Sequence, residues 1–521
     1  MKQAGMGISE SGASEWRPDR RILVNESPAG DVCEKQKLSP TGGEARILAA
    51  LSMRRDFYEG IAHRRPVDAR RHYNNLIQAY FRMLIPEGAR VLEVGCGIGD
   101  LLAAVKPSHG VGIDFAPTMI QQAHRRHDDK PGLTFLEASA EEFVSRERFD
   151  YIILSDLVND LEDVQGVLEN LRKVAHPKTR IVINFFNDYW RPVLELAARH
   201  NLKSPTPKHQ NWLTVPDMTN MLSLAGWEVV KTENKILIPV DAGILERLVN
   251  RWVSPLVKFA NLSRFVVARP APWTFPEQQN AEYSCSVIIP SRNEAGNIEN
   301  AVRRTPDMGL GTEIIFIEGG SSDNTMAEIE RVREAYPHRQ IRVMQQGGRG
   351  KGNAVREAFA EARGDILFIL DADLTVPPEE LPKFYETARS GHADFVNGVR
   401  LVYPMEANAM RFFNMLGNLF FSAMFTWLLG QRIKDTLCGT KVLFREDYLK
   451  IAANRKYFGD FDPFGDFDLL FGAARLNMKI VDLPIRYKAR TYGDTNIDRW
   501  RHGMILLRMV AFAARRLKFI R

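Results

Sequence analysis

Two carboxylates one residue apart, Asp371 and Asp373, close the apolar run Ile366-Leu-Phe-Ile-Leu-Asp-Ala-Asp373. Hard divalent cations such as Mg2+ or Mn2+ take oxygen ligands and hold substrate phosphates through one or two protein carboxylates. An acid pair at the end of a buried strand is therefore a candidate metal site that could neutralise a diphosphate leaving group. Its weight comes from the segments around it. Ser286-Val-Ile-Ile-Pro-Ser-Arg-Asn-Glu294 reads as a strand breaking at Pro290 into a polar loop. Glu313-Ile-Ile-Phe-Ile-Glu-Gly-Gly-Ser-Ser-Asp-Asn-Thr325 reads as a strand ending in an acidic Gly/Ser turn. Gly347-Gly-Arg-Gly-Lys-Gly352 supplies backbone donors and two cations just before a helix, a chemistry suited to a diphosphate. Further on stand Asp435-Thr-Leu-Cys-Gly-Thr-Lys441, the acid-rich Phe458–Asp468 segment and Arg490-Thr-Tyr-Gly-Asp-Thr-Asn496.

A second, unrelated constellation lies in the amino-terminal half. Arg90-Val-Leu-Glu-Val-Gly-Cys-Gly-Ile-Gly-Asp100 runs an apolar strand into a Gly95-x-Gly97-x-Gly99 turn with a helical segment behind it. Glycines suit a turn whose backbone must approach a ligand without a Cβ in the way. Asp100 occupies the place where a dinucleotide-binding loop would have its last glycine, which argues against NAD. Asp114, at the end of Val111-Gly-Ile-Asp114, is positioned to accept hydrogen bonds from ribose hydroxyls. Ser139, Ala140 and Glu141 follow the next strand, where an adenine would be bordered.

The elements that must carry these residues form two α/β rhythms. Strand candidates Arg90–Val94, Gly110–Ile113, Leu133–Leu136, Tyr151–Leu154 and Arg180–Asn184 alternate with helical patterns, as in a doubly wound sheet. A second set follows from Tyr283: Ser286–Ile289, Glu313–Ile317, Arg342–Met344, Ile366–Leu370 and Phe395–Asn397. The expected layout is a disordered tail over 1–45, one domain over 46–235, a proline-rich linker over 236–280 and a second domain over 281–521. At 521 residues the chain is too long for a single core, which agrees with two domains. Its four cysteines, Cys33, Cys96, Cys285 and Cys438, have no ligand spacing, so neither a zinc site nor a disulfide framework is expected, and a reducing cytoplasm fits.

The amino-terminal assembly resembles the class I S-adenosylmethionine-dependent methyltransferases over roughly 70–232, a Rossmann-like fold. That resemblance implies Glu93, Gly95, Gly97 and Gly99 around the methionine part of S-adenosylmethionine, Asp114 on the ribose, Ser139–Glu141 beside the adenine, and Ser155 and Asp156 opening towards the substrate side. The carboxy-terminal assembly resembles the family-2 glycosyltransferases of GT-A fold over 284–500, with the nearest likeness to dolichyl-phosphate mannose-type synthases. It implies inverting transfer from a nucleoside-diphosphate sugar to a glycan or polyprenyl phosphate. Pro290, Arg292 and Glu294 would border the nucleotide, with Glu318 and Asp323 on base and ribose. Lys351 would meet the diphosphate, Asp371 and Asp373 the metal (Mg2+ or Mn2+), and Arg490 would close over the phosphates. Asp466 and Asp468 are the candidate acceptor-side acids, with helix capping as the other reading of that loop. Glu318 is followed by Gly319 instead of a second acid, and Thr375 stands where such synthases often carry a metal-binding Gln. Both departures leave nucleotide and metal preference open.

No charged residue occurs from Phe412 to Gln431, yet Asn414, Asn418, Ser422 and Thr426 form an i+4 polar stripe. An amphipathic helix at an interface, or packed on its own domain, is expected there instead of a membrane span. From Arg499 to Arg521 the chain carries seven Lys/Arg and no acid, with Arg501, Arg508 and Arg515 seven apart. Such a helix suits peripheral contact with the inner membrane surface; nucleic acid is not expected as a partner. Two other readings stand beside the bifunctional enzyme. In one the methyltransferase domain binds S-adenosylmethionine only as a regulator. In the other both folds serve as a binding scaffold.

Overall fold

The computed structural model describes residues 52–57, 59–60, 68–200, 210–403, 412–454, 466–488, 492 and 499–519. The expected tail over 1–45, Arg490, and the loop preceding Asp466 lie outside these residues. So do the side chains of Asn414, Asp466 and Arg501.

The first sheet holds β1 (Arg90–Val94), β2 (His109–Asp114), β3 (Leu133–Glu137), β4 (Phe149–Ser155), β5 (Ala175–Phe186), β6 (Trp227–Lys235) and β7 (Ser263–Pro270). Their order is β3-β2-β1-β4-β5-β7-β6, with β1 to β5 parallel and β7 antiparallel to both neighbours. The central strands are apolar on both faces: Leu92, Ile113, Ile152, Ile153, Leu154, Ile181, Val182 and Ile183 are fully buried. Helices covering both faces of a parallel sheet require that pattern.

The expectation of a linker over 236–280 is corrected by this sheet. Ser263–Pro270 is a central strand, inserted between β5 and β6 and buried over nearly its whole length. Its prolines stand at the strand end and beyond, where a missing N–H interrupts no central pairing. The segment that leads into it, 236–262, is an insertion of the first domain.

The second sheet holds β8 (Cys285–Ser291), β9 (Thr312–Glu318), β10 (Gln340–Gln345), β11 (Ile366–Ile369), β12 (Phe395–Val399), β13 (Lys441–Phe444) and β14 (Ile480–Pro484). The order is β10-β9-β8-β11-β13-β12-β14, with β13 antiparallel to β11 and β12. All five strands expected in this half are present.

The two sheets are joined side by side through buried charge. Arg180 and Arg269 of the first domain converge on Asp394 at 2.5 and 3.2 Å. Lys518 meets Glu233 at 2.9 Å, and Lys479 meets Glu228 at 2.9 Å. Asn477 donates to Leu84 O at 2.7 Å while its own carbonyl accepts from Arg180 Nε at 2.6 Å. Edge strands β6 and β14 flank a cleft of about 520 Å3 between the domains, lined in part by Lys231, Arg432, Lys434, Lys479 and Asp482.

Candidate active sites

In the second domain the strand ends and their loops meet around Asp371. Lys351, the first residue of helix Lys351–Glu361, pairs directly with this carboxylate. Burial pushes Asp371 up, but Lys351, Arg400 and Lys441 outweigh it and hold the carboxyl below its ordinary range. Arg400 is itself locked by Asp435 at 2.7 and 2.9 Å, and Asn418 donates to the same Asp435 at 2.8 Å. Lys441 is wholly buried, donating to Asn397 Oδ1 at 3.0 Å and Cys438 O at 2.7 Å. Gly439 lies against the pair so closely that a Cβ there would collide with both the Asp371 carboxylate and the Lys351 ammonium.

Asp373 is shaped by its own turn. Leu374 takes a left-handed φ of 53°, unusual for a branched side chain. Thr375 donates to Asp373 Oδ1 through its amide at 3.1 Å and its hydroxyl at 2.8 Å. Thr375 thus orients one carboxylate oxygen instead of offering a longer ligand of its own. The main chain beyond the strand returns to this turn, since the Lys488 amide donates to Thr375 O at 2.9 Å.

The expected nucleotide side is assembled from two loops. The Glu294 amide donates to Thr325 Oγ1 at 2.9 Å, and Asn297 donates to the Glu294 carboxylate at 2.7 Å. Asp323 accepts from the amides of Thr325 at 3.0 Å and Ala295 at 3.4 Å, tying the turn after β9 to the loop after β8. Glu318 is buried, which raises its carboxyl, but donors from Ser321 and the Gly320 amide bring it below the usual range. Pro290 is paired with Ile317 as the penultimate residue of β8, and Arg292 is exposed on the loop that follows. Asp468 is placed differently from the other candidates. It is buried on helix Asp466–Arg475 with its carboxylate 3.6 Å from Arg356. Among the described residues no group of three or more His, Cys, Asp or Glu side chains forms a metal cluster.

In the first domain the glycine turn is tied to Asp114. The Gly97 amide donates to Asp114 Oδ2 at 2.9 Å and the Ala116 amide to Oδ1 at 3.0 Å. Burial raises the Asp114 carboxyl, and these two donors moderate the rise. Gly95, Gly97 and Gly99 all have positive φ. A Cβ on Gly97 would meet nothing within 4 Å, which leaves open space above the turn, whereas one on Gly99 would strike Phe135. Glu93 is nearly fully buried, so its carboxyl is pushed well up; it accepts from the Leu102 amide and braces the following helix. Ala138 N donates to Asp114 O at 3.0 Å, bringing Ser139, Ala140 and Glu141 beside the same strand end. Open space over a turn of amides, next to a carboxylate with further lone pairs, fits an amino-acid nucleoside.

Sequence reading did not assemble the acid centre next to that turn. Asp156, at a positive φ of 52°, accepts from Asn184 Nδ2 at 2.6 Å and Tyr73 Oη at 3.1 Å. Tyr73 also meets Ser263 Oγ at 2.9 Å. The four residues come from a helix and strands β4, β5 and β7, separated by up to 190 positions. Asp156 was legible in the sequence as a strand-end residue on the expected substrate side; its partners Tyr73 and Ser263 were not.

The comparisons agree with this division. The family description "Glycosyl transferase family 2" matches residues 286–451, and "Methyltransferase domain" matches 62–232. "Glycosyltransferase AglJ" of Haloferax volcanii is 30% identical over 42% of this chain and 68% of its own length. "Dolichol-phosphate mannosyltransferase" of Pyrococcus furiosus is 37% identical over 119 residues, covering 22% of this chain and 33% of that relative. "Undecaprenyl-phosphate 4-deoxy-4-formamido-L-arabinose transferase" of Klebsiella pneumoniae is 27% identical over 40% of this chain and 61% of its own length. The chain therefore spans between 33% and 68% of the length of these relatives. Among solved structures, glucosyl-3-phosphoglycerate synthase of Mycobacterium tuberculosis, in complex with Mn2+ and UDP, is 19% identical with a TM-score of 0.34. It covers 47% of this chain and 84% of its own. With a methyltransferase domain at its amino-terminal side, the chain belongs to glycosyl transferase family 2.

Proposed function

We propose that the second domain transfers a sugar, with inversion, from a nucleoside-diphosphate donor to a polyprenyl-phosphate or glycan acceptor. The observation that carries this is the Asp371–Lys351 pair pressed against Gly439, with Asp373 two residues away on the same turn. It sets a cation and two hard oxygen donors where four of the loops converge. A divalent cation held by Asp371 and Asp373 would supply charge neutralisation for the departing diphosphate. Lys351 adds a cation on the same leaving group, while Arg400 and Lys441 keep Asp371 ionised. Glu318, Asp323 and Glu294 fix the loops that would border the nucleoside, and Arg292 is free to approach from solvent.

Attack by the acceptor oxygen on the anomeric carbon breaks the bond to the diphosphate. A phosphate acceptor is already nucleophilic; a hydroxyl acceptor needs a base. Asp466 is our choice for that base. The Arg356 partner of Asp468 suits a packing role better. Relatives named for dolichol phosphate and undecaprenyl phosphate favour the lipid-phosphate acceptor.

For the first domain we infer binding of S-adenosylmethionine at Gly95–Gly99, Asp114 and Ser139–Glu141, which would supply a methyl group. Asp156, held by Tyr73 and Asn184 beside that turn, is placed to accept the proton that a hydroxyl loses on methylation. This favours an active methyltransferase over a purely regulatory domain. The two reactions fit successive work on one glycan.

The test is a panel of UDP-, GDP- and dTDP-sugars offered to the purified chain with Mn2+ or Mg2+, beside Asp373→Ala. Metal-dependent consumption of one donor, lost in the variant, is expected. No turnover of any donor with polyprenyl phosphate added would overturn the reading in favour of a binding scaffold.

A further inference from the structure

Two segments of the molecule bury polar side chains while leaving large apolar ones exposed. In the insertion that precedes β7, helix Ile244–Leu248 and the helical turn Val249–Val253 turn Glu246 inward and leave Arg247 exposed. Glu246 is 2% exposed and Ser254 fully buried. Asn250 bonds the amides of Leu237 and Ile238 at 2.8 and 2.9 Å. Outward go the apolar residues. Ile244 is 76% exposed, Leu245 62%, Leu256 67% and Phe259 70%, with Leu248 and Trp252 more than two-fifths exposed. Ile244, Leu248, Trp252 and Leu256 recur every four residues through the helix and the turns that follow it.

Helix Phe412–Leu429 in the other domain buries Phe421, Phe425, Leu428 and Leu429 in the core and carries a second, exposed apolar face beside its buried polar groups. Asn418 and Ser422 are buried; Ser422 and Thr426 donate to the carbonyls of Lys434 and Ile433 at 2.7 and 3.2 Å. Leu416, Leu419 and Phe420 are about half exposed on another face. A helix whose polar groups are satisfied by protein and which still exposes Leu416, Leu419 and Phe420 fits a non-aqueous environment on that side.

The two segments adjoin. Trp427 Nε1 donates to Pro255 O at 3.3 Å, and the ring of Phe519 lies 4.7 Å from that of Trp252 and 5.9 Å from that of Trp427. Phe519 follows helix Arg499–Leu517, which exposes Met504 and Leu507 next to Arg508, Arg515 and Arg516. That helix contains no acid; the insertion exposes Arg247 and Lys258 against one exposed acid, Asp241, while its Glu246 is turned inside. Apolar residues rimmed by cations match a lipid surface with anionic headgroups. Among the described residues no helix is long and apolar enough to cross a membrane, so the geometry is that of an element lying on one.

We propose that the 237–262 insertion of the methyltransferase domain, together with the exposed faces of Phe412–Leu429 and Arg499–Leu517, is a single docking surface for an anionic phospholipid bilayer. It holds both domains on the lipid. The proposal rests on the polyprenyl-phosphate reading only for its purpose; the surface itself stands on exposure and charge. The methyltransferase domain thereby becomes a membrane-binding part of the enzyme, not a passenger.

The experiment is co-sedimentation of the full chain with phosphatidylcholine vesicles, with and without phosphatidylglycerol, beside Leu248→Asp/Phe259→Asp and Arg247→Ser/Lys258→Ser. Binding to the anionic vesicles is expected, weakened about tenfold or more by each pair and by added salt in the wild type. These positions are exposed, and an unchanged melting transition checks folding. Should a pair misfold, quenching of tryptophan by brominated acyl chains in the wild type decides the matter. Absence of partitioning, equal binding by the variants, or loss of a wild-type dimer in light scattering by the same variants would overturn the proposal. Donor consumption in lipid-free solution reports on the catalytic reading separately.

Discussion

At the scale of single residues, the contact between Gly439 and the Asp371–Lys351 pair is the most exacting in the second domain. Gly439→Ala puts a methyl group where both charged groups now stand, so one of them must move. A misplacement of about 1 Å can cost on the order of 100-fold in rate. We expect kcat for sugar transfer to fall at least that far while the melting transition shifts little; retention of full activity would refute the contact's role. Lys351→Met tests the electrostatics. With its closest cation removed, the partly buried Asp371 carboxyl rises, so activity at the acid end of the pH profile is expected to fall first. In the other domain, Tyr73→Phe and Asp156→Asn are expected to leave S-adenosylmethionine binding intact by calorimetry and to lower methyl transfer by about 100-fold. Equal loss of cofactor binding would show that the network holds the turn instead. The acid pair Asp371/Asp373, the glycine turn and Asp114 were legible as motifs because their chemistry is contained in a few consecutive residues. Gly439 and the Tyr73–Asp156–Asn184–Ser263 network were not, because each contact is made between segments far apart in the chain.

At the scale of elements, legibility depended on how local the signal was. Strands β1 to β5 and β8 to β12 are short apolar runs and were visible as such. Ser263–Pro270 was missed because it pairs with β5, nearly 80 residues earlier, and is followed by prolines that read as a linker. The polar stripe of Phe412–Leu429 was legible, but not its direction. Periodicity marks two faces and does not say which one meets the protein. Asn418, Ser422 and Thr426 turn inward because the backbone of Ile433–Thr436 needs partners there. Asn418→Leu is therefore expected to destabilise the domain by about 1–3 kcal/mol, since it leaves Asp435 short of a donor in a buried site. A variant as stable as the wild type in urea denaturation would mean the stripe is solvent-facing after all.

At the scale of the whole molecule, the interface decides whether two α/β domains behave as one body. Its charges are buried: Glu233 lies between Lys518 at 2.9 Å and Lys235 at 3.4 Å. Burial alone would raise Glu233, yet Lys518, Lys235 and Lys231 outweigh it and hold the carboxyl down to about 2. For Lys231 and Lys235 burial wins, bringing each to about 8. The two signs give opposite slopes. An acid held below its unfolded value of 4.5 stabilises the fold fully above that pH and loses the contribution as pH falls towards 2. Lysines held below 10.5 bind fewer protons when folded, so stability rises again between about 8 and 10.5. Asp394, kept low by Arg180 and Arg269 against its burial, adds to the acid limb. Urea midpoints measured along pH should therefore fall in acid as one cooperative transition for both domains. Glu233→Gln should flatten that limb and lower the midpoint near neutrality, because Lys518 is left buried without its carboxylate. Two separate transitions in the wild type at neutral pH would mean that the buried charges do not couple the domains. An acid slope unchanged in the variant would assign the acid sensitivity to other carboxylates.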